Sequence, residues 1–111
     1  MIYEYRVYTV AMGKQEQTIQ NIHEFLALTE KHGVKALGVF HPIIGNANQL
    51  SYFMIYESMS HREKVWLDLA TDEDMQKWYA GVRERDAKEA GPRIINTENT
   101  LLSSTEYSFS K

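Results

Sequence analysis

Two charged residues interrupt the apolar start of the chain. Glu4 and Arg6 lie two positions apart within residues 1–10, so in a β-strand both side chains face the same side. Arg6 could hold a ligand carboxylate or enolate by paired hydrogen bonds, and Glu4 could orient it or act as a base if burial raises its pKa. The two could equally satisfy each other inside an interface as a structural ion pair. As a polar pair on a tyrosine-rich wall, they are the best pocket candidate in the chain.

Tyrosine and methionine side chains form the second candidate group. Tyr8 follows Arg6 at strand spacing, and Tyr52, Met54 and Tyr56 alternate in a later apolar run. These side chains could line an apolar pocket and offer hydroxyl groups to a ligand. Amphipathic aromatics are also the usual filling of protein–protein interfaces, which is the competing interpretation.

The four histidines, His23, His32, His41 and His61, are scattered, and the chain has no cysteine. Because no short spacing puts two of them on one face, we expect no metal site and no cofactor. His41 falls in a predicted strand, where it could act as a general base or bind haem, or could simply be an edge residue.

Length and composition exclude several classes. The chain of 111 residues, 43% of them hydrophobic, allows one domain, which we expect to span 1–111. A net charge of −3 favours neither nucleic acid nor an anionic membrane as partner, and no apolar run is long enough to span a bilayer. Phosphate-binding, dinucleotide and Ser-elbow motifs are absent from the sequence. We expect a cytoplasmic protein.

Six elements are needed to position the candidate residues. The pattern of apolar residues, turn residues and caps predicts strands and helices. They are a strand at 1–10, a helix at 14–32, a hairpin of 34–44 and 49–57, a helix from a capping box at 60–63 with a break at 71–74 and an end at 91–92, and a strand at 94–109. Trp66 and Trp78 lie at helical spacing and belong to the core or roof a pocket.

The order β-α-β-β-α-β is typical of an α+β, ferredoxin-like fold, a four-stranded antiparallel sheet with two helices on one face. Strand alternation gives each face a list of residues. One face carries Tyr3, Tyr5, Val7, Phe53 and Ile55, and the other carries Glu4, Arg6, Tyr8, Leu50, Tyr52, Met54 and Tyr56.

Neither face is polar, although helices can cover only one of them. We expect the helices to cover the side of Phe53, and a second copy of the chain to cover Tyr8, Tyr52 and Tyr56 across a two-fold axis. A slip of one residue in this assignment would exchange the two faces.

Several segments resemble the NIPSNAP family. The first strand contains Tyr3-Glu4-Tyr5-Arg6-Val7-Tyr8, followed by Gly13-Lys14. The similarity continues through 45–49, 53–58, 60–63, Glu98-Asn99 and 105–108, and so covers nearly the whole chain. The chain departs from the family in having Tyr52 where the family favours His, and Met54 where it favours Trp.

This resemblance implies a dimeric α/β barrel, in which two ferredoxin-like subunits pair their sheets. It implies a homodimer, or an assembly of dimers, that binds a small aromatic or acyl ligand in the barrel through Glu4, Arg6 and the tyrosine group. Relatives in that superfamily include cofactor-independent monooxygenases, isomerases and haem-binding enzymes, so an enzyme using Glu4, Arg6 and His41 is the alternative. A non-catalytic assembly protein with a filled barrel is the second alternative.

Overall fold

Seven elements follow one another along residues 1–105, the part of the chain that the computed structural model describes. They are β1 (Ile2–Val10), α1 (Gln15–Glu30), β2 (Lys35–Phe40), β3 (Gln49–Tyr56), α2 (Met59–Thr71), α3 (Glu73–Ala87) and β4 (Ile94–Ser103). The strands form one antiparallel sheet in the order β2-β3-β1-β4. This is the ferredoxin-like α+β arrangement, and the fold prediction is confirmed.

The helical region after β3 is divided at Asp72, where a break was predicted. Asp72 has an extended backbone, and its carboxylate accepts a hydrogen bond from the Met75 amide at 2.9 Å, which caps α3. The same carboxylate lies 2.7 Å from Lys31 Nζ and 3.0 Å from His32 Nε2, just after α1. The hydrogen bond from Lys31, followed by that from the Met75 amide, holds the pKa of Asp72 well below its usual range.

The cap of α2 differs from the prediction. The helix begins at Met59, and Ser58 Oγ accepts a hydrogen bond from the His61 amide at 3.0 Å. The capping box predicted from Ser60 is therefore wrong, because Ser60 already lies in the first helical turn. The His61 ring strengthens the true start, since its Nδ1 accepts from the Glu57 amide at 3.1 Å.

Two strand boundaries also differ. The predicted strand at 34–44 is shorter, because β2 is irregular between Ala36 and Val39 and ends at Phe40. At the other end of the chain, β4 stops at Ser103, and residues 104 and 105 belong to no strand. The remainder of the predicted strand, 106–109, lies outside the described residues.

The two faces of the sheet are exchanged relative to the prediction. Tyr52, Met54 and Tyr56 are at most 1% exposed and belong to the core cluster that the helices contribute to. Glu4, on the same face, has no exposed surface. The helices therefore cover the face of Glu4 and the tyrosines, and no helix of residues 1–105 covers the face with Phe53.

The helix-free face has an apolar centre on β1 and β3, flanked by the polar residues Ser51, Glu98 and Thr100. Tyr5 and Phe53 are register partners, and their rings stack with centroids 4.8 Å apart. Both residues are half-buried, as are Tyr3, Val7 and Ile55 on the same face. The described molecule is only 17 Å across in its thinnest direction, which matches one sheet with one layer of helices.

Apolar side chains from all layers meet between the sheet and the helices. The core contains Val10, Ile22, Phe25, Leu26, Val34, Leu50, Tyr52, Met54, Tyr56, Val65, Leu69 and Met75. Within residues 1–105, no helix has the length and apolar content needed to cross a membrane.

Candidate functional site

A cavity of about 560 Å³ lies between the sheet and the helices. Its size falls within the range that small-molecule sites commonly have. Six aromatic side chains line it, namely Tyr8, Phe25, Tyr52, Trp66, Trp78 and Tyr79. Tyr79 and Ile94, which also line it, are 37% and 38% exposed, so the cavity reaches the surface near α3 and β4.

Glu4 anchors the polar side of this region from beneath the cavity. Its carboxylate accepts hydrogen bonds from Arg6 Nε at 2.9 Å, from Tyr56 Oη at 2.8 Å and from Arg62 Nε at 3.2 Å. Burial alone would raise the pKa of Glu4, but the hydrogen bond from Arg62 and the charge of Arg6 outweigh it and lower the pKa. The raised pKa on which a role of Glu4 as a base depended is therefore not found, and the carboxylate is a charged anchor of this network.

Arg6 connects that anchor to the cavity wall. Its Nη2 lies 2.8 Å from Glu4, and its Nη1 donates to Tyr52 Oη at 3.2 Å. The guanidinium carbon lies 5.1 Å from the centre of the Trp66 ring, a cation–π distance. Although burial lowers the pKa of a cation, the interactions with Tyr52 and Glu4 raise the pKa of Arg6 above its ordinary value. Arg6 therefore stays charged at any physiological pH.

Tyr52 and Tyr8 carry the network into the cavity. Their hydroxyl oxygens are 2.6 Å apart, and their rings meet edge to face with centroids 5.4 Å apart. Burial raises the pKa of Tyr52 far above its usual value despite the neighbouring Arg6, so its hydroxyl keeps its proton. Register pairing of Arg6 with Tyr52 across β1 and β3 is what brings the side chains together.

Tyr56 and Met54 lie behind the network. Tyr56 donates to Glu4 and accepts from Trp66 Nε1 at 3.2 Å, and burial raises the pKa of its hydroxyl. Met54 has no exposed surface and belongs to the hydrophobic core. Both residues support the cavity wall, and neither lines the cavity.

Two buried donors near the cavity lack partners among residues 1–105. Trp78 Nε1 and Arg93 Nη1 belong to side chains that line the cavity, yet neither makes a hydrogen bond there. Arg93 Nη2 lies 2.7 Å from Asp86 and 2.9 Å from Glu89, and Arg93 Nε donates to Asp86 at 2.8 Å. An unpaired buried donor costs about 1–3 kcal/mol, so these atoms stand out from an otherwise bonded site.

A comparison with known protein families shows to which family the chain belongs. Residues 3–108 match the NIPSNAP family model. This chain is a NIPSNAP family member. The sequence resemblance is thereby confirmed, and among curated proteins none matches the chain.

Solved structures similar to this NIPSNAP chain share its fold. An Agrobacterium tumefaciens NIPSNAP family protein is 25% identical, with 99% of this chain and 98% of that chain covered and a TM-score of 0.77. An uncharacterised NIPSNAP domain protein from Burkholderia xenovorans is 19% identical over 97% and 98%, with a TM-score of 0.77. A putative antibiotic biosynthesis monooxygenase from Deinococcus radiodurans is 7% identical over 96% and 94%, with a TM-score of 0.65. At that identity the last likeness concerns the fold alone.

The structure separates the predicted site residues of this NIPSNAP chain into groups. Arg6, Tyr8 and Tyr52 line the cavity, and Glu4 lies directly beneath Arg6. The prediction that these residues face a second subunit is wrong, because the helices cover them. Glu4 and Arg6 form the predicted ion pair, and the cavity that Arg6 lines is open beside it.

His41 is placed differently from its prediction. It follows the end of β2, lies outside any strand and is exposed. It is therefore remote from the interior position required of a general base or haem ligand. Within the described residues, no group of three His, Cys, Asp or Glu side chains is arranged to hold a metal ion.

The sequence gives no direct indication that Arg93 lines the cavity, and it leaves two possible positions for Trp78. Arg93 follows the Gly91-Pro92 turn and carries no motif, but its side chain is 4% exposed and its carbonyl accepts from the Ala11 amide at 2.9 Å. The helical spacing of Trp78 predicts either a core residue or one that covers a pocket, and Trp78 lines the cavity. The proximity of Arg93 to the turn was the one available signal.

Proposed function

We propose that this NIPSNAP chain binds a small aromatic or acyl molecule in the cavity between its sheet and helices, as a homodimer. The observation that carries the proposal is a cavity of about 560 Å³ with six aromatic side chains around it. The cavity opens to the surface near Tyr79 and Ile94, so a small molecule can reach it. Flat aromatic walls favour a flat or apolar ligand body.

The polar groups at the cavity further restrict the ligand. Arg6, Tyr8, Trp78 and Arg93 line the cavity and carry hydrogen-bond donors. Asp86, the one acidic residue that lines it, is paired with Arg93. Groups that donate recognise groups that accept, so the expected ligand carries carbonyl, phenol or carboxyl oxygens on an aromatic or acyl body.

The helix-free face of the sheet supports the homodimer. Tyr3, Tyr5, Val7, Phe53 and Ile55 lie on it as half-buried apolar or aromatic side chains. Beside this patch β4 is exposed along its whole length, and Leu102, the register partner of Tyr3, is 44% exposed. Monomeric proteins rarely leave a patch of this kind uncovered, and a second copy placed across a two-fold axis would cover it.

Tryptophan fluorescence tests the ligand proposal directly. The chain has two tryptophans, Trp66 and Trp78, and both line the cavity. We expect members of a panel of aromatic and acyl carbonyl compounds to quench this emission saturably and to raise the melting temperature. A ligand at one hundred times its Kd stabilises the folded state by about 2.7 kcal/mol.

A matched pair of variants controls the titration. Val82→Phe places a larger side chain at the cavity wall and should weaken binding, whereas Leu67→Phe adds similar bulk on α2 at a position 73% exposed and should not. If no compound in the panel quenches or stabilises the wild-type protein, the ligand proposal fails.

A further inference from the structure

The hydrogen bonds that link Glu4, Arg6, Tyr52 and Tyr8 form a chain with a direction. Arg6 carries donors alone, so at 3.2 Å its Nη1 donates and Tyr52 Oη accepts. The next contact, 2.6 Å between the hydroxyls of Tyr52 and Tyr8, could run either way by distance alone. Counting hydrogens resolves which hydroxyl donates.

Tyr52 is 1% exposed, and its hydroxyl contacts Arg6 and Tyr8 among the described residues. If Tyr8 donated to Tyr52, the hydrogen of Tyr52 would be buried without an acceptor, at a cost of about 1–3 kcal/mol. Tyr52 therefore donates to Tyr8. The hydroxyl hydrogen of Tyr8 is then left over, on a half-buried side chain that lines the cavity.

The charges behind this hydroxyl do not cancel. Glu4 supplies one negative charge, while Arg6 at 2.8 Å and Arg62 at 3.2 Å supply two positive charges. Tyr52 on β3 stays a neutral phenol, and the far wall is balanced, because Arg93 and Lys14 pair with Asp86 and Glu89. The environment of Tyr8 therefore retains one excess positive charge, partly shielded because the Arg62 side chain is 26% exposed.

We infer that Tyr8 donates its hydroxyl hydrogen to a single anionic oxygen of the ligand, so that the cavity binds an acidic phenol or enol as its phenolate or enolate. This inference rests on the proposed function and names the ligand class of the same cavity. A donor polarised by a neighbouring donor and cation binds an anion better than a neutral oxygen. Each nitrogen of Arg6 already contacts Glu4 or Tyr52, which fixes the guanidinium in place, so Arg6 positions Tyr52 and Tyr8, and the unused hydrogen of Tyr8 makes the contact to the ligand oxygen.

A coloured phenol provides the test. Para-nitrophenol absorbs differently as phenol and as phenolate, so its ionisation can be followed while it is bound. We expect the bound probe to ionise about one pH unit lower than the free probe, which corresponds to a tenfold preference for the phenolate. Para-nitrotoluene, which has the same shape and no hydroxyl, measures binding that does not depend on Tyr8.

Three variants separate the possible outcomes. Tyr8→Phe should abolish the shift in probe ionisation and keep para-nitrotoluene binding. Tyr52→Phe should reduce the shift, because Tyr8 loses its polarising donor. Tyr5→Phe removes a hydroxyl from the opposite face of the same strand and should leave the shift unchanged.

The experiment distinguishes a wrong role for Tyr8 from a cavity that binds no ligand. Both probes could bind while para-nitrophenol ionises at the same pH in Tyr8→Phe as in the wild-type protein. The cavity would then bind ligands, but the role assigned to Tyr8 would be wrong. Equal competition by benzoate against the phenolate would also overturn the single-oxygen assignment. If neither probe binds the wild-type protein, the proposed function fails and this inference fails with it.

Discussion

Glu4 is a carboxylate with no exposed surface, and its charge is tolerated because three donors surround it. Arg6, Arg62 and Tyr56 come from two strands and a helix, so a single residue links three elements. Removing one partner from a buried charge cluster is costly, because the remaining charges lose their compensation. Glu4 is thus the residue on which the polar side of the core depends.

We predict that Glu4→Gln lowers the free energy of unfolding by about 3 kcal/mol at neutral pH, since it leaves Arg6 and Arg62 without a counter-charge. The folded pKa of Glu4 is lowered, so its stabilisation is complete above the unfolded pKa of about 4.3 and is lost as pH falls through the folded pKa. The variant should therefore lose less stability than wild type on acidification.

Urea unfolding measured across the acid range checks both statements. Glu63→Gln, at an exposed position on α2, is the matched control and should follow the wild-type profile. Parallel acid profiles for wild type and Glu4→Gln would show that Glu4 does not carry this pH dependence.

At the scale of elements, the start of α2 connects the end of β3 to the cavity. Ser58 caps the helix, and Trp66, two turns later, reaches both the Arg6 guanidinium and the Tyr56 hydroxyl. The cap therefore fixes where the helix begins and which residues face the sheet. A shift of the helix start would rotate Trp66 away from these partners.

We predict that Ser58→Ala destabilises the protein by about 1 kcal/mol, because the His61 amide loses its acceptor. Ser60→Ala, a change of the same size inside the first turn, should alter stability by less than about 0.5 kcal/mol. Chemical unfolding of the two variants measures the difference. Equal losses would mean that Ser58 does not act as the cap.

At the scale of the whole molecule, the helices of residues 1–105 lie on one side of the sheet and leave its other side without a helix. The helix-free face carries the stacked pair Tyr5 and Phe53, and the neighbouring β4 is exposed along its full length. The register places an apolar centre on β1 and β3 at this face, with the polar residues Ser51, Glu98 and Thr100 beside it. The proposed homodimer accounts for that face, while the ligand cavity lies within each subunit.

We predict that light scattering at micromolar concentration gives twice the mass of the chain. Phe53→Glu should shift the protein to the monomer, because a charge at the centre of an apolar interface loses its hydration. Leu67→Glu, on the exposed face of α2, should remain dimeric. A monomeric wild-type protein would refute the dimer.

Part of the candidate site follows from alternation along single strands. Glu4, Arg6 and Tyr8 share a face because strand side chains repeat every two residues, and Tyr52 and Tyr56 do so for the same reason. Arg93 and the unpaired nitrogen of Trp78 carry no such signal. A cavity is space that side chains from distant elements leave empty, and no local pattern encodes it.

Local propensity and turn residues predict the order of the strands and helices, and alternation predicts which residues share a face. The motif of the first strand indicates the family. Which face the helices cover depends on contacts between distant segments, because alternation treats both faces alike and both carry apolar residues. The face with Glu4 is covered because Arg62, 58 residues further along the chain, helps to neutralise a charge that burial would otherwise exclude.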